Sequence, residues 1–250
     1  MRRLEDQLGV ELFRRNARDV VLTADGQGLL PHAHRRLRIN DEIVAGLTEG
    51  DVEGEVRFGA PEDIATTFLP RILGEFARTH PKISLAVTCD YTANLLDQIS
   101  KGALDLALIK REPMGPDLGV RVWREPLVWV AADTAAVDAT VLPIVVAPSP
   151  DIYRKRALAA LTDQGITFRV AFASPSLAGQ HAALRAGLGI GVLSAAMTPK
   201  DLAILSAESG LPDLHETEIA LVRARGARSG AADLLADQVL RSLDRDHIAS

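Results

Sequence analysis

From Glu55 onward the chain alternates between two patterns of apolar residues. Short apolar runs are followed by stretches in which apolar residues recur every three or four positions. VRFGA, ISLAVTC, LDLALI, PLVWVAA, LPIVVAP, FRVAFA, GIGVL and EIALVRA read as strands. ATTFLPRILGEFART, TANLLDQISKG, YRKRALAALTDQG, SLAGQHAALRAG and GAADLLADQVLRSLD read as helices. Strands separated by helical patterns predict βαβ units in a mainly parallel sheet with right-handed crossovers. The stretch from Ala132 to Thr140 has little periodicity and reads as the crossing to a second lobe. The late strand and the final helix then return to the first.

The opening fifty residues follow other rules. Leu4 and Leu8 read as the end of an amphipathic helix stopped at Gly9. Asn16 to Asp19 is a polar turn between ELF and VVL, which suits a small hairpin. Thr23 is placed to cap the next helix, with Asp25 near its positive end. In that helix Leu30, Ala33, Leu37, Asn40, Val44 and Leu47 are spaced three, four, three, four, three. This is a short heptad seam, and a buried Asn in such a seam can fix register. A dimerisation helix is the favoured reading; a helix packed on its own domain is the alternative. EGDVEGE breaks the pattern and reads as a linker.

Composition narrows the class. The 250 residues are 47% hydrophobic and 24% charged, as in a soluble globular protein of one large or two modest domains. No apolar run is long enough for a membrane helix, and the charged N-terminus does not resemble a signal peptide. A cytoplasmic protein is expected, with no membrane partner. The single cysteine, Cys89, excludes an intrachain disulfide and a multi-cysteine zinc site. Its place within ISLAVTC predicts a buried thiol. Residues 1–40 carry a net +3 and the rest a net −8. A basic head on an acidic body suggests a polyanion partner for the head, although a solvated arginine-rich face fits the charge equally well.

Enzyme signatures are missing from the sequence. It has no G-x-S-x-G elbow, no P-loop and no nucleophile–base pair. GLGIG at Gly187–Gly191 follows a helix and opens a strand, the reverse of a phosphate-binding turn, and reads as a helix C-cap. His32 and His34 are two apart on a helix and make a poor metal pair. No catalytic residue, metal or cofactor is expected.

The informative places are the strand-to-helix turns, because ligands in open α/β sheets sit outside the carboxyl ends of the strands. Pro61, Glu62 and Asp63 follow VRFGA. Asp90 to Asn94 follow ISLAVTC, and include Thr92. Ser149 to Asp151 follow LPIVVAP, and Ser174, Pro175 and Ser176 follow FRVAFA. If two lobes face each other, these turns line one cleft. Taken singly, Thr92 and Ser176 are ordinary N-caps. Glu62 and Asp63 argue against a tightly held small anion and leave a neutral, cationic or zwitterionic ligand open.

These residues also resemble a known family. RRLEDQLGVELFRRNARDVVLTADGQGLL is similar to the segment of LysR-type transcriptional regulators that runs from the end of the recognition helix, through the wing, into the linker helix. VRFGAPEDIATTFLPRILGEFARTHPKISLAVTC, GALDLALI, FRVAFASPSLAGQHAALRAGLGIGVL and the final helix resemble the family's effector domain. GAPED and ASPSLAG look most like the LrhA-like branch. Nearly the whole chain is covered.

The resemblance implies an α/β fold of two Rossmann-like lobes, a type 2 periplasmic-binding-protein-like effector domain, preceded by a linker helix and a partial winged helix-turn-helix. Residues 1–23 would be the remnant of the winged head, 24–50 the linker and dimerisation helix, and 54–250 the effector domain. Lobe I would take about 54–131 and 221–250, and lobe II about 132–220. The implied partners are promoter DNA, a small-molecule effector and further copies of the chain in a homodimer or homotetramer. The effector would meet Pro61, Glu62, Thr92, Asn94, Ser149, Ser174 and Ser176. Arg2 and Arg3 would end the recognition helix, and Arg14, Arg15 and Arg18 would lie near phosphates on the wing. The family's first two helices and the base-reading start of the third precede the match to Arg2 and Arg3. An N-terminally truncated regulator with impaired promoter binding is therefore expected. The alternative is a stand-alone effector-binding and dimerisation module that titrates full-length regulators.

Overall fold

The computed structural model describes residues 2–15, 20–29, 32, 33, 36, 52–134, 137, 139–225 and 230–248. The chain divides into two compact units, Met1–Val52 and Glu53–Ser250.

The first unit holds helix α1 (Arg2–Leu8) and the antiparallel strands β1 (Phe13–Arg15) and β2 (Val20–Leu22). Gly9 ends α1 with a φ of 69°, which favours glycine, and its amide donates to the Glu5 carbonyl (2.8 Å). The Glu5 carboxylate then accepts from the amides of Leu12 (2.9 Å) and Phe13 (3.2 Å), tying the helix to the hairpin. Thr23 caps the helical stretch 24–29 through its hydroxyl, which accepts from the Gly26 amide (3.0 Å). Leu12 is buried, Phe13 is half-buried, and Leu4 and Leu8 are exposed. Of the heptad seam only Ala33 is described; Leu30, Leu37, Asn40, Val44 and Leu47 lie outside the described residues.

The second unit is a two-lobed α/β structure. Lobe I contains β3 (Gly54–Ala60), α2 (Glu62–Thr67), α3 (Leu69–Thr79), β4 (Ile83–Cys89), α4 (Thr92–Ser100) and β5 (Leu106–Arg111). β6 (Val120–Ala131) runs through both lobes. Lobe II contains β7 (Leu142–Val146), α5 (Ile152–Asp163), β8 (Phe168–Ala173), α6 (Leu177–Arg185), β9 (Gly191–Ser194) and β10 (Ala203–Ile204). β11 (Glu216–Arg223) and α7 (Gly230–Ile248) return to lobe I.

The sheet is mixed, where a mainly parallel one is expected from the βαβ pattern. β3 pairs in parallel with β4 and β5, and β7 with β8. β11 is antiparallel to β5 and β6, and β6 is antiparallel to β9 and β10. In lobe I the cause is β11, which returns from lobe II and inserts between β5 and β6 running opposite to both. The residues of β6 up to Pro126 pair with β11, and those from Leu127 pair with β9 and β10. The lobes are therefore joined inside β6, ahead of the Ala132–Thr140 stretch. The return crossing lies beside it, where the Leu127 amide donates to the His215 carbonyl (3.0 Å).

A single helix over 65–79 is expected, and two are found. α2 and α3 meet at Phe68 because Pro70, in the first turn of α3, has no N–H to continue the ladder. Leu69, Ile72 and Phe76 then form the buried stripe of α3. α4 lays Leu95 and Ile99 on Leu104, Ala107 and Ile109 of the sheet. Gly59 permits that approach, since a Cβ there would come within 2.6 Å of Leu104 and 2.7 Å of Leu95. In lobe II, α5 packs Tyr153, Ala157 and Leu161 on Ile144, Val146 and Val192. On the other face α6 packs Ala183 and Leu184 on Val130, Val145 and Leu193.

Candidate ligand cleft

Each strand-to-helix turn leaves the sheet at its carboxyl end, so the turns of both lobes converge on one cavity of about 220 Å³. Lobe I contributes Pro61, Glu62, Asp63, Cys89, Asp90, Tyr91 and Lys110. Lobe II contributes Ala147, Asp151, Tyr153, Arg154, Pro175 and Gln180, with Val145, Val146, Leu177, Val192 and Leu193 as apolar wall.

A buried ion pair forms the floor. Lys110 Nζ lies 2.5 Å from Asp63 Oδ2, and both side chains are 10% exposed or less. The same ammonium stands 3.6 Å from the centroid of the Tyr153 ring, across the lobe boundary. The Tyr153 hydroxyl donates to Glu125 Oε1 (3.3 Å), and the Ser194 hydroxyl donates to the other carboxylate oxygen. Burial raises the Glu125 carboxyl above its ordinary value, and the Ser194 hydrogen bond opposes that rise. Burial, with Asp63, Glu125 and Asp151 around it, pushes the Tyr153 phenol well above its ordinary value.

Of the seven effector contacts that the resemblance implies, with Asp63 beside them in the first turn, Pro61, Glu62 and Asp63 line the cavity. The other five stand outside its lining. The Thr92 hydroxyl accepts from the Lys110 amide (3.0 Å), holding the strand that carries the buried lysine. Asn94 donates to Asp90 Oδ1 (2.7 Å). Ser149 is exposed in the turn after β7. Ser174 accepts from the Ser176 amide (3.2 Å), and Ser176 caps α6 at the Gly179 amide (3.4 Å). Their neighbours Asp90, Tyr91, Asp151 and Pro175 reach the cavity instead.

Lys110, Tyr153 and Arg154 escaped the sequence reading. Lys110 follows the apolar run LALI but is followed at once by Arg111 and Glu112, so its sequence does not set it apart. Cys89 corrects an expectation: it is exposed and lines the cleft. It is the last residue of β4, the edge strand, where the sheet opens to the cavity. Burial and the Glu62 charge raise its thiol pKa. In the Gly187–Gly191 run, Gly187 follows the α6 cap at φ 70° and Gly191 opens β9.

Arg2 and Arg3 open α1, Arg14 is exposed on β1, Arg15 ends β1, and Arg18 lies outside the described residues. Among the described residues, no three His, Cys, Asp or Glu side chains are placed to hold a metal ion. No described helix is long and apolar enough to cross a membrane.

Two α/β lobes joined inside a shared strand, with a lined cavity between them, define a ligand-binding domain of the periplasmic-binding type. Residues 49–244 match the family described as LysR substrate binding domain. The HTH-type transcriptional regulator DgdR of Burkholderia cepacia is 39% identical over 224 residues, covering 88% of this chain and 75% of that protein. The HTH-type transcriptional regulator PecT of Dickeya dadantii is 36% identical over 225 residues, covering 89% and 71%. Among solved structures, HinK, a LysR family transcriptional regulator from Pseudomonas aeruginosa, superposes with a TM-score of 0.58 at 18% identity, over 98% of this chain and 87% of that one. That likeness bears on the fold. The chain belongs to the LysR family of HTH-type transcriptional regulators, and its relatives are named as regulators, not as enzymes.

Proposed function

We propose that the chain is a cytoplasmic, effector-responsive LysR-type regulator of the LrhA-like branch, acting as a homodimer or homotetramer on promoter DNA. The observation that carries this reading is the cavity lined from both lobes of a domain whose relatives are transcriptional regulators. A ligand held between two lobes can bias their relative setting by its differential affinity for the two arrangements. Pro61, Glu62 and Asp63 are the proposed effector contacts named from sequence that face the cavity, joined by Tyr91, Asp151 and Arg154. Thr92, Asn94, Ser149, Ser174 and Ser176 shape the turns behind them. GAPED and ASPSLAG, the motifs that suggest the LrhA-like branch, are two of these turns.

Arg2, Arg3, Arg14, Arg15 and Arg18 are the proposed DNA contacts, and Leu30, Ala33, Leu37, Asn40, Val44 and Leu47 the proposed pairing seam. Contacts to phosphate give affinity without sequence preference, and base reading in the major groove gives specificity. The five arginines are therefore proposed to add affinity for duplex DNA that falls steeply with salt and carries no sequence preference. Gel shifts over a salt series with matched and scrambled promoter duplexes test this. Retardation of both duplexes that weakens steeply with salt is expected, and binding indifferent to salt would refute the phosphate contacts. For the cleft, Pro175→Trp in the regulator should abolish the response of the target promoter to its inducing condition while DNA binding persists. A retained response would refute the effector role.

A further inference from the structure

Four helices begin at the cleft, and a carboxylate of this chain lies at the start of each. Asp63 accepts from the Ile64 amide in α2 (2.9 Å). Asp90 accepts from the Tyr91 amide at the cap of α4 (2.8 Å). Asp151 accepts from the Arg154 amide in α5 (2.6 Å). Glu62 reaches from lobe I to the Leu177 amide at the start of α6 in lobe II (2.8 Å). Helix N-termini in such a cleft ordinarily offer free amides and positive partial charge to a ligand anion. At α5 and α6 the protein's own anions already hold such amides.

The charge balance is also acidic. Lys110 neutralises Asp63. Glu62, Asp90 and Asp151 are left against one cation, Arg154, whose guanidinium donates to the Ala147 carbonyl (3.2 Å). Tyr91 stands among these three carboxylates. Burial and the charges of Asp151, Glu62 and Asp90 push its phenol up, so the hydroxyl stays neutral. That hydroxyl oxygen is buried without a hydrogen-bond partner from the chain, and Tyr91 lines the cavity. Burial likewise raises the Asp151 carboxyl, and the Lys110 charge opposes that rise. The remaining wall is apolar, from Val145, Val146, Val192 and Leu193.

We infer that the cleft selects a small primary amine in its ammonium form, carried on a short apolar body, and rejects a carboxylate of the same size. The inference rests on the reading of the cleft as the effector site. A primary ammonium brings three N–H donors and no acceptor, which suits several carboxylates and an unpartnered hydroxyl oxygen. A carboxylate ligand would have to displace Glu62 or Asp151 from a helix end and then face like charges. A bare metal ion is not matched, because no three acidic, His or Cys groups among the described residues are placed to hold one. A cavity of about 220 Å³ is smaller than the ~300–1,000 Å³ of most ligand pockets, which keeps the body short.

The test is an amide-shift titration of the ¹⁵N-labelled 250-residue chain with butylammonium, butyrate and butanol at constant ionic strength. Butylammonium should shift the amides of Tyr91 and of Asp151 to Arg154 saturably, and butyrate should leave them still. Asp151→Asn should weaken butylammonium by about tenfold or more, the worth of a charge-assisted hydrogen bond. Asn caps a helix about as well as Asp, so the fold is retained, and the unliganded spectrum checks it. Butyrate or butanol shifting the cleft amides in place of butylammonium would overturn the ammonium and leave the effector reading standing. Equal butylammonium affinity for the wild type and Asp151→Asn, or no cleft shift by any probe, would overturn it as well. The Pro175→Trp promoter experiment judges the effector reading separately.

Discussion

Glu62 Oε2 accepts a hydrogen bond from the Leu177 amide across 115 positions of sequence, joining the first turn of α2 in lobe I to the start of α6 in lobe II. It bridges the cleft mouth, and its acceptor is charged. Glu62→Ala should therefore release α6 from lobe I without touching either core. Hydrogen exchange should show the Leu177 amide losing protection by roughly one to two orders of magnitude, as for a charge-assisted bond. The β7 and β8 amides should keep theirs. Unchanged exchange at Leu177 would show that the bond does not hold the lobes in solution.

The Asp63–Lys110 pair gives a prediction about stability. Both side chains are buried, so removing one partner strands the other charge. Asp63→Asn or Lys110→Met alone should cost about 3–5 kcal/mol in urea unfolding. The double variant Asp63→Asn/Lys110→Met should cost well below the sum of the two, since no charge is then left unpaired. Additive single costs would mean that the two groups do not act as a pair.

How legible these features were depends on where each residue finds its partner. ISLAVTC and FRVAFA are strands over the residues read from sequence, because turn residues bound a mostly apolar run. The first half of β6, VRVWRE, did not read as a strand, because Arg121, Arg124 and Glu125 interrupt it. Arg124 donates to Glu218 of β11 (2.6 Å), 94 positions away, and Glu125 accepts from Tyr153 and Ser194. Lys110 is a similar case, since its partner Asp63 is 47 positions off. The turns that build the cleft were legible, but which residue of each turn faces inward was not. Backbone direction at the strand end decides that, and so Asp151 and Tyr91 point in where Ser149 and Asn94 do not.

The GLGIG turn separates two uses of glycine. Gly187 has a φ of 70° with open space around its Cβ position, so the cost of a side chain there is conformational. Gly187→Ala should lower stability by about 1–2 kcal/mol, the cost of the left-handed region. At Gly189 a Cβ would collide with the Pro143 carbonyl oxygen of β7. That backbone is fixed by the Ile190 amide, which donates to the same carbonyl (2.9 Å). Gly189→Ala should therefore be the more damaging of the two in thermal unfolding. An equal or smaller loss than at Gly187 would mean that β7 yields freely.

The Glu125 carboxyl lies where the lobes join, next to Pro126 of β6, and is 1% exposed. Its folded pKa is raised, chiefly by burial, above the ordinary 4.5 that the unfolded chain is expected to keep. Between those two values the folded state binds more protons than the unfolded state. The contribution of this group is thus fully present below about pH 4.5 and is lost as pH rises through the raised folded value. Glu125→Gln removes that titration while leaving an amide oxygen to accept from the Tyr153 or Ser194 hydroxyl. The stability of Glu125→Gln relative to the wild type should accordingly increase as pH rises from 4.5, and level off above the folded value. Comparing urea midpoints of the two proteins at stepped pH cancels the other carboxylates, including Asp105, whose pKa is lowered by Arg57 and whose slope has the opposite sign. A difference that stays flat with pH would show that Glu125 is ionised throughout. The join between the lobes would then carry a buried charge rather than a proton.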